Sequence, residues 1–348
     1  GAAGSVSAGD TVRAQRLSQL QEMFSGGPTG LGAAINDMMN AFSDVVSSPT
    51  DLTARGVVLT RIDETARRMR DGAGRIEEIE LAVAEQLKGA VNVVNNLASD
   101  LAQVNLEIVR ARGNGQTPND LLDRRDQLIS ELVAFTGGNA ATQDGGLVNV
   151  FSAGGQPLVV GATASTLVTV PDPYRPERLQ VALETNGQRV TLDKRALGGQ
   201  IGGLVEFRTT VLDPAMAELG RIATSLAQTF NEGHRAGMDQ YGQMGADFFT
   251  LPAPRLSSNA NNTGNASLTT SVGNVAGLNA QNVLLRFDGA AWVATHPDTG
   301  ARIPMTGTGT AADPLVVNGI EVVLASGTPA ANDRFLLQPT DGAAGYLD

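Results

Sequence analysis

Between Arg75 and Arg112 apolar residues recur at steps of three and four: Ile76, Ile79, Val83, Leu87, Ala90, Val94, Leu97, Leu101, Val104 and Ile108. That spacing places them on one face and predicts a long helix with a continuous seam. Arg110 and Arg112 fall in its last turn, where cations suit the helix dipole, and Gly113 can supply a left-handed cap. So long a seam needs partner helices. Candidates are Leu17, Leu20 and Phe24; Ile35, Met38, Met39, Phe42, Val45 and Val46; Val58, Ile62, Ala66 and Met69; and Leu121, Leu128, Leu132 and Phe135. Short polar or Gly/Pro stretches such as Ser25-Gly26-Gly27-Pro28 separate them, as an antiparallel bundle requires.

Past Gly137 the period shortens. Leu147, Val148, Val150, Leu158, Val159 and Val160 lie in short runs. Leu179, Val181 and Leu183 alternate strictly, and after Asn186-Gly187 so do Val190 and Leu192. An Asn-Gly pair between alternating runs predicts a hairpin, because a type I′ turn needs positive φ at both central residues. Helix resumes after Gly198-Gly199, with Leu204, Phe207 and Val211, then Asp213 as an N-cap to Pro214, then Leu219, Ile222, Leu226 and Phe230. From about Thr250 strands return. Val283–Phe287 with Ala291–Ala294 across Asp288-Gly289 reads as one hairpin. Val316-Val317 with Ile320, Val322 and Leu324 across Asn318-Gly319 reads as another, and Phe335 with Leu337 as a last strand. Residues 257–265 read as a polar loop.

The expected fold class is α+β multidomain: an antiparallel helical bundle interrupted by β-rich hairpin modules. The expected division is a helical domain over 1–137 completed by 200–249, a β insertion over 138–199, and a β-rich domain over 250–348 that either stands alone or merges with the insertion.

Composition narrows the function classes. The net charge of −11 argues against general nucleic-acid binding, which needs surplus Lys and Arg. The chain has no cysteine, which removes disulfides, thiolate catalysis and zinc–cysteine sites. No apolar run reaches the length of a membrane span, so no membrane insertion is expected. Aromatic residues at 4% are thin for a base- or sugar-stacking surface.

Candidate chemistry is sparse. His234 sits near a helix end and His296 beside Pro297, both outside any metal-ligand spacing. Asp239-Gln240-Tyr241-Gly242 with Asp247 suggests a calcium loop, but the glycine is misplaced and the bidentate Glu is absent, so a turn-rich connector is expected. Gly198-Gly199-Gln200-Ile201-Gly202-Gly203 fits no phosphate-binding spacing and reads as a flexible junction. Glu77, Glu78 and Glu80 read as a solvated face. No nucleophile elbow is present. No catalytic residue, cofactor site or metal site is expected, and the chain does not read as an enzyme.

One segment stands above background: Gln116-Thr117-Pro118-Asn119-Asp120-Leu121-Leu122-Asp123-Arg124-Arg125-Asp126-Gln127-Leu128-Ile129-Ser130-Glu131-Leu132. It is a helix start, with Thr117 as N-cap, Pro118 at N1 and Asp120 at N3. At about 100° per residue Arg125 falls in the middle of the apolar arc. It is expected to be buried and forked onto a carboxylate or carbonyls of an adjacent helix, since an unpaired buried charge is costly.

The wording of that segment resembles the signature of the flagellar hook-associated protein 1 (FlgK) family, with Pro118, Asn119, Asp120, Leu121, Leu122, Asp123, Arg125 and Asp126 as signature residues. Further matches follow in order: Phe42-Ser43-Asp44; Gln143-Asp144-Gly145-Gly146; residues 197–208; Phe230-Asn231 with His234 and Gly237; Gly245-Ala246-Asp247-Phe248-Phe249; Phe287-Asp288-Gly289 with Trp292; and Asn332-Asp333-Arg334-Phe335. The resemblance implies a structural, extracellular junction protein linking hook to filament, exported by the flagellar secretion system. Implied partners are sibling subunits in a ring, hook protein, hook-associated protein 3 and an export chaperone. It also implies a fragment lacking the family's terminal core helices. The alternatives are a flagellin or hook-associated protein 3, or a secreted carbohydrate-active protein with β accessory modules.

Overall fold

The computed structural model describes residues 30–348 apart from 115–117, 144–145, 186 and 240, and of the first 29 only Asp10, Thr11, Ala14 and Ser18. The expectations for Leu17, Leu20, Phe24, Ser25-Gly26-Gly27-Pro28, Gln116, Thr117, Asp144, Gly145, Asn186 and Gln240 lie outside the described residues.

The chain is α+β and multidomain. By contacts it forms two compact units, one of Gly1–Leu20 with Ile79–Leu212 and one of Gln21–Glu78 with Asp213–Asp348. The α-helices whose bounds are described are α1 (Leu31–Ser47), α2 (Leu52–Gly113), α3 (Asn119–Thr136), α4 (Gly199–Phe207) and α5 (Asp213–Ala236), with a π-helical turn over Arg208–Leu212. The segments around Val58–Met69 and Arg75–Arg112, expected as separate helices, are one helix of 62 residues. Gly72 and Gly74 do not break it. A helical glycine costs only about 1 kcal/mol, and Ala73 between them is fully buried.

In the first unit the α2 seam is buried at Val83, Leu87, Val94, Leu101, Val104 and Ile108. Full burial of such a side chain is worth about 1.5–3 kcal/mol. Two small antiparallel sheets belong to this unit. One has the order β1 (Asn139–Thr142), β2 (Val148–Phe151), β3 (Pro157–Val160), β4 (Thr163–Ala164); the other is β5 (Thr166–Pro171), β6 (Leu179–Thr185), β7 (Gln188–Thr191).

In the second unit α1 and α2 form an antiparallel helical pair, with the Thr65 hydroxyl 3.3 Å from the Ala34 carbonyl. Of the face expected on α1, Met38 is buried, but Met39 and Val46 are exposed, and Ala34 and Ala41 fill the core instead. The close approach of α2 selects small residues there.

Among the described residues, seven strands complete this unit. β8 (Arg255–Ser258) pairs with β14 (Arg334–Gln338), which pairs with β10 (Val283–Phe287) and it with β11 (Trp292–Thr295); β12 (Leu315–Val317), β13 (Ile320–Ser326) and β9 (Ser267–Val272) form a second sheet. Val283, Leu285, Val317, Ile320, Val322, Phe335 and Leu337 share one core. The Asn318-Gly319 hairpin forms, with φ of 50° and 79°. The polar stretch 257–265 is not all loop, because Ser257 and Ser258 belong to edge strand β8 and pair with Leu336 and Phe335.

Two expected caps differ. Pro118 is the N-cap of α3 and not its first helical residue. Asp213 follows the π-helical turn directly, leaving no non-helical residue at which it could cap. Pro214 has no N–H for the carbonyl one turn back, and the widened turn before it absorbs that loss.

Candidate functional site

The signature residues occupy the first turns of α3. The Pro118 carbonyl accepts the Leu122 N–H at 3.1 Å. Asn119, Asp120, Asp123 and Asp126 are exposed, while Pro118, Leu121, Leu122 and Arg125 are half-buried. Full burial begins beyond them, at Leu128, Leu132 and Val133.

The Arg125 side chain is 15% exposed. Its Nε and Nη2 donate to Asp126 Oδ1 at 3.0 and 2.7 Å, and Nη1 reaches the Gly146 carbonyl at 3.4 Å. The expected partner on an adjacent helix is therefore corrected. The closest carboxylate is its own neighbour, and the carbonyl lies in the turn between β1 and β2. Arg112 reaches the same turn, since a Cβ built on Gly146 would fall 1.8 Å from its Nη1.

At the far end of α3, Gly137 adopts φ of 68° and donates to the Val133 carbonyl at 2.8 Å. A Cβ there would lie 2.6 Å from Gly198 Cα, and one on Gly199 would lie 2.3 Å from the Ala134 carbonyl oxygen. Residues 198–203 are thus not the flexible junction expected from sequence. Lacking side chains, Gly198 and Gly199 let the start of α4 touch the end of α3 backbone to backbone.

Three side chains of α2 hold the β modules of this unit. Buried Asn105 donates to the carbonyls of Val148 (2.8 Å) and Gly161 (2.7 Å). Asn95 donates to the Leu167 carbonyl and accepts the Leu167 N–H, both at 2.8 Å. Glu80 accepts from Arg178 Nε at 2.5 Å, so it is not part of a solvated face as expected, although Glu77 and Glu78 are exposed. None of these clamps was singled out from sequence. The available signal was an asparagine at 105, one turn from both Leu101 and Ile108 within the seam.

In the second unit the separated motifs meet. Asn231, buried on α5, donates to the Phe249 carbonyl at 2.7 Å and accepts the N–H groups of Phe248 (2.8 Å) and Phe249 (2.9 Å). Phe42 packs on Phe230 with centroids 4.7 Å apart and meets Phe248 edge-on at 5.9 Å. His234 stacks on Phe248 at 3.9 Å and contacts the Ala246 carbonyl through Nδ1. His296 accepts the N–H of Asp298 at 3.1 Å within its own turn. Asp239 Oδ1 accepts the N–H groups of Tyr241 and Gln243, each at 2.8 Å, and Asp247 pairs with Arg235 at 3.3 Å, so both expected calcium-loop acids are engaged in local structure.

Asp333, 2% exposed, accepts from the N–H groups of Ala330 (2.8 Å), Thr263 (2.9 Å) and Gly264 (3.1 Å). Burial pushes its carboxyl up, but these N–H groups outweigh burial and hold it below the usual carboxylate range. Among the described residues no group of three or more His, Asp or Glu could hold a metal ion, and no helix is long and apolar enough to cross a membrane.

Residues 17–249 match the family model described as the flagellar hook-associated protein FlgK helical domain. The chain belongs to the flagellar hook-associated protein 1 (FlgK) family. Residues 257–339 also match the D2-like domain of flagellar hook-associated protein 1. The chain is 31% identical to flagellar hook-associated protein 1 of Escherichia coli K12, covering 100% of this chain and 64% of that protein. It is 32% identical to that of Salmonella typhimurium, over 97% of this chain and 61% of the relative. It thus spans about three-fifths of the length of these relatives. The structure of the flagellar hook junction protein FlgK from Burkholderia pseudomallei superposes with a TM-score of 0.88 at 31% identity, covering 99% of this chain and 62% of that one. The FlgK helical-domain match takes in the signature residues, the α2 clamps and the Asn231 site; the D2-like match takes in Asp333.

Proposed function

We infer that the chain is the outer part of a junction protein that joins hook to filament in the bacterial flagellum, outside the cell. Its work is packing and not catalysis. The observation behind this reading is the superposition with the Burkholderia hook junction protein over 99% of the chain at a TM-score of 0.88. The partners fitting this role are sibling subunits in a ring, hook protein and hook-associated protein 3, with an export chaperone before secretion. Residues Pro118 to Asp126 serve as a structural element in it, through which Arg125 helps hold the β1–β2 turn near α3.

The family matches over 17–249 and 257–339 favour a helical domain over 1–137 and 200–249 that includes 138–199, with a separate β-rich domain beyond 250, although contacts divide the helical part at Glu78/Ile79 and Leu212/Asp213. Among the described residues strands β1–β7 do not pair with β8–β14, which also favours two separate β modules.

Gold-labelled antibody against this chain, applied to intact flagellated cells, tests the role. Label confined to the boundary between hook and filament is expected. Label along the filament, or on the cell body alone, would overturn it.

A further inference from the structure

Within the second unit, α1 and α5 end side by side. Phe42 lies in the last turns of α1, Phe230 in the last turns of α5, and their rings are 4.7 Å apart. Far from that contact, Thr340 Oγ1 donates to the Ala217 carbonyl at 2.6 Å, and Gly345 approaches Ala73. Early α5 therefore lies beside late residues of the α2 segment of this unit, so α5 runs parallel to α1 and antiparallel to α2. The turn after α1 and the turn after α5 emerge at the same end.

That end carries large apolar side chains in solvent: Val46 (79%), Leu52 (80%), Met238 (67%), Tyr241 (80%) and Met244 (58%). Met238, Tyr241 and Met244 stand on a hydrogen-bonded turn. Met238 and Met244 bridge across it, Asp239 N–H donates to the Gln243 carbonyl at 2.9 Å, and Gly245 N–H donates to the Gly237 carbonyl at 3.1 Å. Apolar groups presented on an ordered turn lose little freedom on contact, and methionine adapts to irregular partners. The charges beside them are mostly negative. Asp44, Asp51, Glu232, Asp239 and Asp247 are exposed there, against Arg55 and Arg235, and Arg235 is already paired with Asp247.

We propose that this end of the unit is a docking surface for a different protein that offers an apolar patch ringed by lysine and arginine. Complementary charge selects that partner. The same end of a second copy is disfavoured as the occupant, because it would bring like acidic residues face to face. The inference does not depend on the junction reading.

The test uses the whole chain labelled at its methionine methyls. Three synthetic 18-residue helical peptides are the probes: Leu/Lys amphipathic, Leu/Glu amphipathic, and Lys/Ser without an apolar face. The Leu/Lys peptide is expected to shift Met238 and Met244 while buried Met38 and Met69 stay still. Its affinity should fall about tenfold or more at high salt. Met238→Ser with Met244→Ser should abolish binding while leaving the Met38 and Met69 signals in place, which checks folding. Equal binding of the Leu/Glu or Lys/Ser peptide, unmoved Met238 and Met244, or unchanged binding by the double variant would overturn the proposal. Concentration-dependent shifts of Met238 and Met244 without peptide would overturn it in favour of self-association.

Discussion

Glu80 on the long helix α2 and Arg178 at the entry to β6 form an ion pair at 2.5 Å, 98 residues apart in sequence. The arginine side chain is only 9% exposed and the glutamate 28%. Arg178→Ala leaves the carboxylate without its cation and opens a gap against the stem, so a loss of about 2–4 kcal/mol is expected. Glu80→Gln keeps an acceptor oxygen and should lose less, about 1–2 kcal/mol. Urea unfolding of both variants checks the order. Equal losses would mean that the charge pair, and not the stem of Arg178, carries the contribution.

Arg125 should behave differently, because its partner Asp126 is two-thirds exposed and adjacent in sequence. Arg125→Ala is expected to cost about 1 kcal/mol, mostly lost packing of the stem, and Arg125→Met still less. A loss of 3 kcal/mol or more in thermal unfolding would show that the contact with the Gly146 turn carries far more than its 3.4 Å length suggests.

Two glycines with similar backbones separate strain from collision. Gly137 and Gly155 have φ of 68° and 77°. A Cβ on Gly155 meets nothing within 4 Å, whereas one on Gly137 meets the backbone of Gly198 and Gly199. Gly155→Ala should cost about 1 kcal/mol, from the left-handed conformation alone. Gly137→Ala should exceed it by 2 kcal/mol or more, because backbone has nowhere to move. Similar melting temperatures would show that α3 and α4 can part at little cost.

Asp333 makes the β-rich part of the second unit acid-sensitive. Its carboxyl titrates below the ordinary value in the folded state. The charged form therefore stabilises the fold above the unfolded value, near pH 4, and that contribution is lost as pH falls through the lower, folded value. Asp333→Asn should lower stability at pH 7 and flatten its decline below pH 4. The amide N–H exchange of Thr263, Gly264 and Ala330, followed from pH 6 to pH 3, reads this directly. An unchanged acid profile in the variant would assign the sensitivity to other carboxylates.

The seam on α2 was legible because Leu87, Leu101 and Ile108 obey a helical period that needs no tertiary information. The Asn318-Gly319 hairpin was legible because its turn chemistry is local. The continuity of α2 through Gly72 and Gly74 was not, since a glycine pair reads as a break until the burial of Ala73 is known. The register of the α3 cap slipped by one residue at Pro118, where the difference between a cap and a first helical position depends on one dihedral. The signature was visible as a word, but its partners were not, because Arg125 finds Gly146 only after the β1–β2 turn has formed. Asn95 and Glu80 were silent for the same reason. A polar side chain on a helix names its capacity to bond and not its correspondent.

The asparagine clamps carry a kinetic consequence. Asn105 reaches Val148 across 43 residues, and Asn95 reaches Leu167 across 72. The helix can assemble from neighbours in sequence, but each clamp must wait for a long loop to close, and such closures slow the search for the native state. Contacts closed that late leave the folding rate nearly unchanged when removed and speed unfolding instead, so a chain without the two amide groups would assemble as promptly and come apart sooner.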